Sequence, residues 1–390
     1  MRRLLAVLAA AQVSIAPLTA LAADVAWEPG KNVAGVFDVD GPRSDGSLIV
    51  AGAAALYSMD PAGNITPFAR GPGGYREDKG AEAYLANSTG GSVSAAGCSW
   101  VRDETFLLRL HIPVGVERVS AVGDETGSFA NLTGVPALNG IAFDTTGDFD
   151  HRLLVSGLSK GKTVIFAIDC TGAVKVISRS APRLEGGLAV APSDFGAFGG
   201  ALIGPDELSG KIYAIKANGA VSLVAKPTLP TGQDIGVESV GFVPQGFMSR
   251  GGSLFYADRR TANSAHPGTD SVLKLPSAQL AAAGVKDGDM LVATEGGATL
   301  VAVRCSPLCT TIPVVAKPTK AHGEGRLAFA LNQAPASPSP SSSVHSPGGG
   351  LPSSNSGGAA VPVGAILAIG IAIVVALVVG GAALRRRRRP

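Results

Sequence analysis

The sequence predicts an all-β body made of one four-strand unit repeated around a ring. Two observations carry this prediction. Alternating apolar strands recur with glycine turns at a regular spacing, and helix-period patterns are scarce. A third observation, an apolar C-terminal segment followed by arginines, predicts that the body is held outside a membrane by one helix.

The repeat is plainest at residues 54–69 (AALYSMDPAGNITPFA), 162–178 (KTVIFAIDCTGAVKVIS) and 210–225 (GKIYAIKANGAVSLVA). Each is an alternating strand, a short turn closed by Gly63, Gly172 or Gly219, and a second alternating strand. Alternation marks half-buried antiparallel strands, and the glycine supplies a positive φ. A matching strand pair lies upstream of each unit: 35–39 with 46–50, 140–144 with 152–156, and 187–192 with 200–203. The stretch 240–244 is read as pairing with 252–257 in the same way. From Gly172 to Gly219 is 47 residues, the size of a propeller blade. The body at 24–331, about 308 residues, divides by that period into between six and seven units. We read six, starting near Asn32, Glu82, Asn139, Glu185 and Glu238, with the last around 287–316 and a closing strand at 326–331. Residues 277–283 followed by Gly284 read as a short inserted helix with a serine cap and a glycine stop. The predicted fold class is a six-bladed β-propeller ectodomain plus one C-terminal transmembrane helix.

The ends set the expected location. Residues 1–23 read as a signal peptide, with Arg2 and Arg3, an apolar stretch and small residues before Asp24. Residues 332–360, rich in Pro, Ser and Gly, read as a stalk that cannot bury enough surface to fold. Residues 361–384 carry no charge and are long enough to span a bilayer. The tail at 385–390 opens with five arginines, which marks the cytoplasmic side. The expected location is therefore the cell membrane, single-pass, with the N-terminal body extracellular and the C-terminus cytoplasmic. A sortase-type signal would lie near 351–355, but the Thr-Gly pair is absent, which favours a retained anchor.

Charge agrees with that division. The chain of 390 residues has 33 Lys plus Arg against 30 Asp plus Glu. Setting aside Arg2, Arg3 and the arginines at 385–389 leaves 26 basic residues against 30 acidic, so the body is near −4. No basic stripe crosses it, which argues against a nucleic-acid partner.

The 4 cysteines suit two disulfides in an oxidising compartment. Cys305 and Cys309 enclose a tight loop that would staple a hairpin, and Cys98 and Cys170 pair by elimination if the second and third blades are neighbours. Asn64, Asn87 and Asn131 each begin a glycosylation acceptor pattern. Residues 157–163 imitate a phosphate-binding loop but run into a strand, so the donors of a helix N-terminus are missing. No HExxH pair occurs.

One constellation carries chemistry. Glu185, Glu238 and Glu324 each stand five residues before an apolar strand residue, as does Asn32; Asn139 aligns with a one-residue slip and Glu82 loosely. Innermost propeller strands run parallel around a central channel, so one level of them forms a ring. Carboxylates converging there repel one another, and a divalent cation, with calcium the expected one, relieves this. The other reading is that each side chain accepts hydrogen bonds from its own turn. Asp38, Asp40 and Asp45 form a weaker calcium candidate, better read as a blade turn because no downstream Glu completes a loop.

The strand pattern and the Glu/Asn ring resemble the six-bladed propellers of the gluconolactonase, regucalcin and paraoxonase type and the related NHL-repeat propellers. The resemblance implies a channel cation held by Asn32, Glu82, Asn139, Glu185, Glu238 and Glu324, polarising a lactone or ester carbonyl. It also implies a neighbouring base, for which His322 is the histidine in place. The chain departs from that pattern in having no Asp at this level. Three functions stand: a surface binding or scaffold module for an unknown extracellular ligand or protein, a metal-dependent lactonase or esterase, and a structural spacer.

Overall fold

A computed structural model describes residues 25–70, 75 and 81–332. The expected leader (1–23), apolar segment (361–384), basic tail (385–390) and all but the first residue of the expected stalk (332–360) lie outside them. Among the described residues no helix is long and apolar enough to cross a membrane.

Six antiparallel sheets surround a channel. The first comprises β1 (Asp38–Asp40), β2 (Leu48–Gly52), β3 (Ala55–Met59) and β4 (Ile65–Phe68) in sequence order. In the second, β5 (Leu85–Asn87) is followed by a small hairpin, β6 (Gly91–Val93) and β7 (Cys98–Trp100). The blade then resumes with β8 (Thr105–Arg109), β9 (Gly115–Val119) and β10 (Thr126–Asn131). The third is β11 (Ala137–Phe143), β12 (Leu153–Ser159), β13 (Lys162–Ile168) and β14 (Val174–Ala181). The fourth is β15 (Ala189–Val190), β16 (Leu202–Asp206), β17 (Lys211–Ile215) and β18 (Val221–Ala225).

The turns that defined the repeat are as expected. Gly63, Gly172 and Gly219 have φ of 83, 84 and 82°, and each amide donates to the carbonyl three residues back, at 2.8, 2.9 and 2.8 Å. Gly123 repeats this in the second blade, with φ 75° and its amide 2.9 Å from Ser120 O. That blade escapes the sequence template because the β6–β7 hairpin separates its first two strands.

The last two blades correct the sequence reading. β19 (Val237–Phe242) does not pair with β20 (Gly252–Asp258). It pairs with β22 (Met290–Thr294), which carries β23 (Leu300–Cys305) and β24 (Cys309–Val315). β20 instead joins the sixth sheet, between β21 (Ser271–Pro276) and β25 (Gly323–Leu331). The chain thus leaves the fifth blade after one strand, builds half of the sixth, returns, and finishes the sixth with β25. The N-terminal segment lies on the outer edge of that sheet through bridges Glu28↔Lys274 and Asn32↔Ser271. The reason is local. α1 (Phe247–Arg250) fills the connection after β19, and α2 (Ser277–Ala282) turns the chain back after β21. Ser277 is not the cap of α2; Pro276 occupies that position, and the Ser277 hydroxyl accepts the Gly252 amide at 3.1 Å. The glycine stop is present, Gly284 having φ 84°.

The innermost strands β1, β5, β11, β15, β19 and β25 touch in that order, and β25 closes on β1. Buried carboxylates stitch the seam. Asp38 accepts the amides of Leu85 and Arg326, both at 2.7 Å, and Asp40 accepts Asn87 N at 2.7 Å. Asp45 holds its own turn through Ser47 N and Oγ at 2.9 and 2.6 Å. These aspartates are structural, each tied to backbone amides.

Both disulfides are present. Cys305–Cys309 staples the β23–β24 hairpin. Cys98–Cys170 ties the β6–β7 hairpin to the turn after β13. It lies beside an aromatic cluster in which Trp100 stands edge-on to Phe106 at 5.1 Å and to Phe143 at 5.0 Å. Cys98–Cys170 spans 72 residues and Cys305–Cys309 only 4. Loop-closure entropy makes the longer crosslink worth about 2–3 kcal/mol more. Urea denaturation of the two double Cys→Ser variants should show the larger loss for Cys98/Cys170. Equal losses would contradict the assignment.

Candidate functional site

The mouth of the channel where the innermost strands begin is acidic because of how antiparallel blades return. An innermost strand starts there, and the second strand of the blade ends there. Side chains just before or within the first strand therefore meet those just after the second. Glu82 (before β5), Glu185 (before β15), Glu238 (in β19) and Glu324 (in β25) supply the first set. Glu207 (after β16), Glu295 (after β22) and Arg259 (after β20) supply the second.

Contacts bind them into one cluster. Arg259 Nη1 lies 2.5 Å from Glu82 Oε1 and 3.2 Å from Glu324 Oε1. His322 Nε2 lies 2.9 Å from Glu295 Oε1 and 3.5 Å from Glu324 Oε1. The Tyr84 hydroxyl reaches Glu324 Oε2 at 3.0 Å and Glu238 Oε1 at 3.2 Å. Arg183 Nε donates to Glu185 Oε1 at 2.8 Å. Small residues admit the tyrosine rings: a Cβ on Gly186 would stand 2.0 Å from the Tyr84 ring, and one on Gly323 2.2 Å from the Tyr256 ring.

Among the described residues, six carboxyl groups face two guanidiniums and one imidazole, in a setting that removes water. Burial, then the charge of Glu324, raises Glu82 and lifts Glu238 well above the usual carboxylate range. Burial pushes Glu185 up to about 7, against Arg183. Burial and then Glu295 push Glu207 up to about 8. Glu295 is also raised by burial, with His322 opposing. Burial works against the His322 imidazolium, but the hydrogen bonds and charges of Glu295 and Glu324 outweigh it and raise the ring to about 10.

Of the residues proposed from sequence, Glu82, Glu185, Glu238, Glu324 and His322 come together. Asn32 does not. It is exposed on the outer edge of the sixth blade, because the chain turns at Gly35, φ 60°, before β1 begins. The alignment of Asn32 with Phe37 therefore counts across a turn and not along a strand. Asn139 is on an innermost strand, but its amide is committed: Nδ2 donates to Leu184 O, and Oδ1 accepts Ser156 Oγ at 3.0 Å. Asn87, one of the glycosylation candidates, is 7% exposed and turned into the fold. Sequence reasoning missed Glu207, Glu295 and Arg259. Their signal is a charged residue directly after each second strand, in Asp206-Glu207, Thr294-Glu295 and Asp258-Arg259.

The geometry can hold a cation. One ligand atom each from Glu295, His322 and Glu324 lies within 4.8 Å of the others, all three side chains being buried. Ligands at about 2.0–2.2 Å from a shared ion would need only a small inward shift. His322 Nδ1 has no hydrogen-bond partner among the described residues, so no second group fixes the ring as a neutral tautomer.

No protein-family profile matches the chain, and no curated protein does. Among solved structures, virginiamycin B lyase from Staphylococcus aureus is 14% identical, covering 79% of this chain and 96% of its own at a TM-score of 0.41. A putative gluconolactonase is 13% identical, with 79% and 91% covered and a TM-score of 0.42. A streptogramin B lyase is 14% identical, with 79% and 95% covered and a TM-score of 0.40. At these scores the likeness carries no functional argument.

The cluster sets a pH dependence whose sign is fixed by these shifts. A carboxyl raised from about 4.3 to the 7–8 of Glu185 and Glu207 stabilises the fold below its unfolded value, and that stability is lost as pH rises through the folded value. His322, raised from 6.5 to about 10, acts in the same sense, losing its contribution between those values. In EDTA, the melting temperature should fall from pH 5.5 to pH 8.5, and Glu238→Gln should flatten that slope. A flat or rising profile in the unsubstituted chain would contradict the cluster.

Proposed function

We propose that this chain is a surface-displayed propeller that binds a divalent cation at its acidic mouth and works as a binding module. One observation carries the proposal: Glu295, His322 and Glu324 converge within 4.8 Å, inside a wall of further glutamates. Like charges at that density favour either protonation or a cation. Hard cations such as calcium prefer six or more oxygens, whereas imidazole suits zinc and its neighbours. The His322 nitrogen thus moves the reading from the expected calcium toward a metal that accepts nitrogen, with Glu82, Glu185 and Glu238 as surrounding charge. Asn32 and Asn139 drop out of the proposed ligand set. A bound ion would offer an open coordination position to an acidic or carbonyl-bearing partner at the mouth.

Display outside the membrane rests on the sequence alone: a leader at 1–23, a stalk at 332–360, an apolar segment at 361–384 and arginines at 385–389. A spacer would have no use for the cluster. Hydrolysis asks more of His322 than its surroundings favour, because Nε2 is already engaged by Glu295 and the ring is an imidazolium at neutral pH.

Metal content of the purified full chain, followed by calorimetric titration of the chelated protein with Zn²⁺ and with Ca²⁺, tests the proposal. Zn²⁺ should bind more tightly than Ca²⁺, and its affinity should rise from pH 6 to pH 8.5, because the ion displaces protons. Glu324→Gln and His322→Gln should each weaken it at least ten-fold. Absence of any bound ion, or affinity unchanged in both variants, would overturn the proposal. Turnover of a lactone and aryl-ester panel by the loaded protein would replace the binding module with a hydrolase.

A further inference from the structure

The opposite mouth of the channel, where the innermost strands end, opens into a cavity of about 670 Å³ that the acidic cluster does not use. Its floor is polar and its walls are apolar. Arg326, from β25, lies at the floor with a side chain 16% exposed. All its side-chain hydrogen bonds among the described residues leave from Nη1, to Leu85 O at 3.3 Å and Ile141 O at 3.2 Å. Its carboxylate neighbour, Asp40, is 3.6 Å away and also faces Nη1. The Nε–Nη2 edge of the guanidinium, the edge that grips a carboxylate with two parallel bonds, is uncommitted among the described residues.

Asn87 lines the same cavity and is 7% exposed. Its Oδ1 accepts the Thr105 hydroxyl at 2.7 Å and its backbone amide donates to Asp40. Its Nδ2 is buried with no acceptor among the described residues. A buried donor left this way is costly, and native folds satisfy nearly all of them. Two sets of unused donors, from the second and sixth blades, therefore line one cavity, whose Asp40 carboxylate serves Arg326 Nη1 and the Asn87 backbone amide and neither of those donors.

The walls are fixed in advance. Phe143 stands edge-on to Trp100 at 5.0 Å, Phe242 to Phe195 at 4.9 Å, and Phe329 to Phe247 at 5.4 Å. Each wall ring is locked by a partner outside the cavity, so a ligand need not order it. A pocket of this size with apolar walls and a few convergent donors is built for a small molecule.

We infer that this cavity binds a small carboxylate on an apolar body, the carboxylate against Arg326 and Asn87 and the body against Phe143, Phe242 and Phe329. The site is separate from the cation cluster and does not depend on it.

The test uses the full chain in lipid nanodiscs, with empty discs subtracted, titrated with hippurate and with its neutral amide, hippuramide. Hippurate should bind at least ten-fold more tightly than the amide, and EDTA should leave its affinity unchanged. Asn87→Asp keeps the acceptor for Thr105 but sets a negative charge against the ligand, so hippurate affinity should fall at least ten-fold. Thr145→Trp, at an exposed rim position, should remove binding of both compounds. If Asn87→Asp does not fold, the acid-to-amide ratio in the unsubstituted chain decides. Equal binding of acid and amide, no binding of either, or hippurate binding that survives Thr145→Trp would each overturn the inference. Binding lost on chelation would move the carboxylate to the cation cluster and overturn it as well.

Discussion

Everything in this propeller depends on the closure of its sixth blade. That sheet draws on three separate parts of the chain: the segment around Glu28 and Asn32, the excursion β20–β21, and β25. The innermost strands belong to separate sheets, with a parallel bridge at Gly187↔Ser239 as a ladder contact between neighbours. The ring is also held by β25 packing on both β1 and β19, and by side chains spanning the seam. Asp38 is the clearest of these, linking the amides of Leu85 and Arg326 across three blades. The exchange between the last two blades makes closure cooperative. Neither blade is complete until the chain has passed through both.

The same closure explains why the two mouths differ in chemistry. Around a narrow channel, a residue type placed at one level of several strands is concentrated whether or not any pair is close in sequence. At the strand starts this gathers glutamates, with Arg183, Arg259 and His322 among the described residues to balance them. At the strand ends it gathers phenylalanines and valines around Arg326 and Asn87, with Asp40, Arg102 and Asp103 at the same mouth. Between the two levels, Asp38 and glycines too crowded for a side chain, such as Gly325, fill the channel. The two mouths are thus separated by packed residues.

The strand pattern and the turns at Gly63, Gly172 and Gly219 were legible because period-two alternation and a positive-φ glycine are local signals. Pairing in the last two blades was not. β19, β20 and β22 carry the same alternation, so pattern alone cannot say which two lie side by side. That choice is made by α1, α2 and the need to close a ring. The site divides in the same way. Glu185, Glu238 and Glu324 were found by aligning strand starts, which share a level by construction. Glu207 and Glu295 sit at the ends of second strands, where the level depends on hairpin length, and one residue of difference moves a side chain to the other face. Asn32 fails for the complementary reason: its spacing matched, but the intervening Gly35 turn breaks the strand on which the count relies.

β25 contributes to both mouths. Glu324 lies at one mouth, His322 directly precedes the strand there, and Arg326 reaches the other. These residues emerge last from the ribosome among those that form the body. During synthesis the first five innermost strands are available before any of them, and N-terminal portions of a chain begin folding first. The earlier glutamates, Glu82, Glu185 and Glu238, must then wait without His322 and Glu324, which complete their surroundings. A chain cut short before β25 therefore lacks Glu324 and Arg326 together, so one strand decides whether either mouth acquires its full set of side chains.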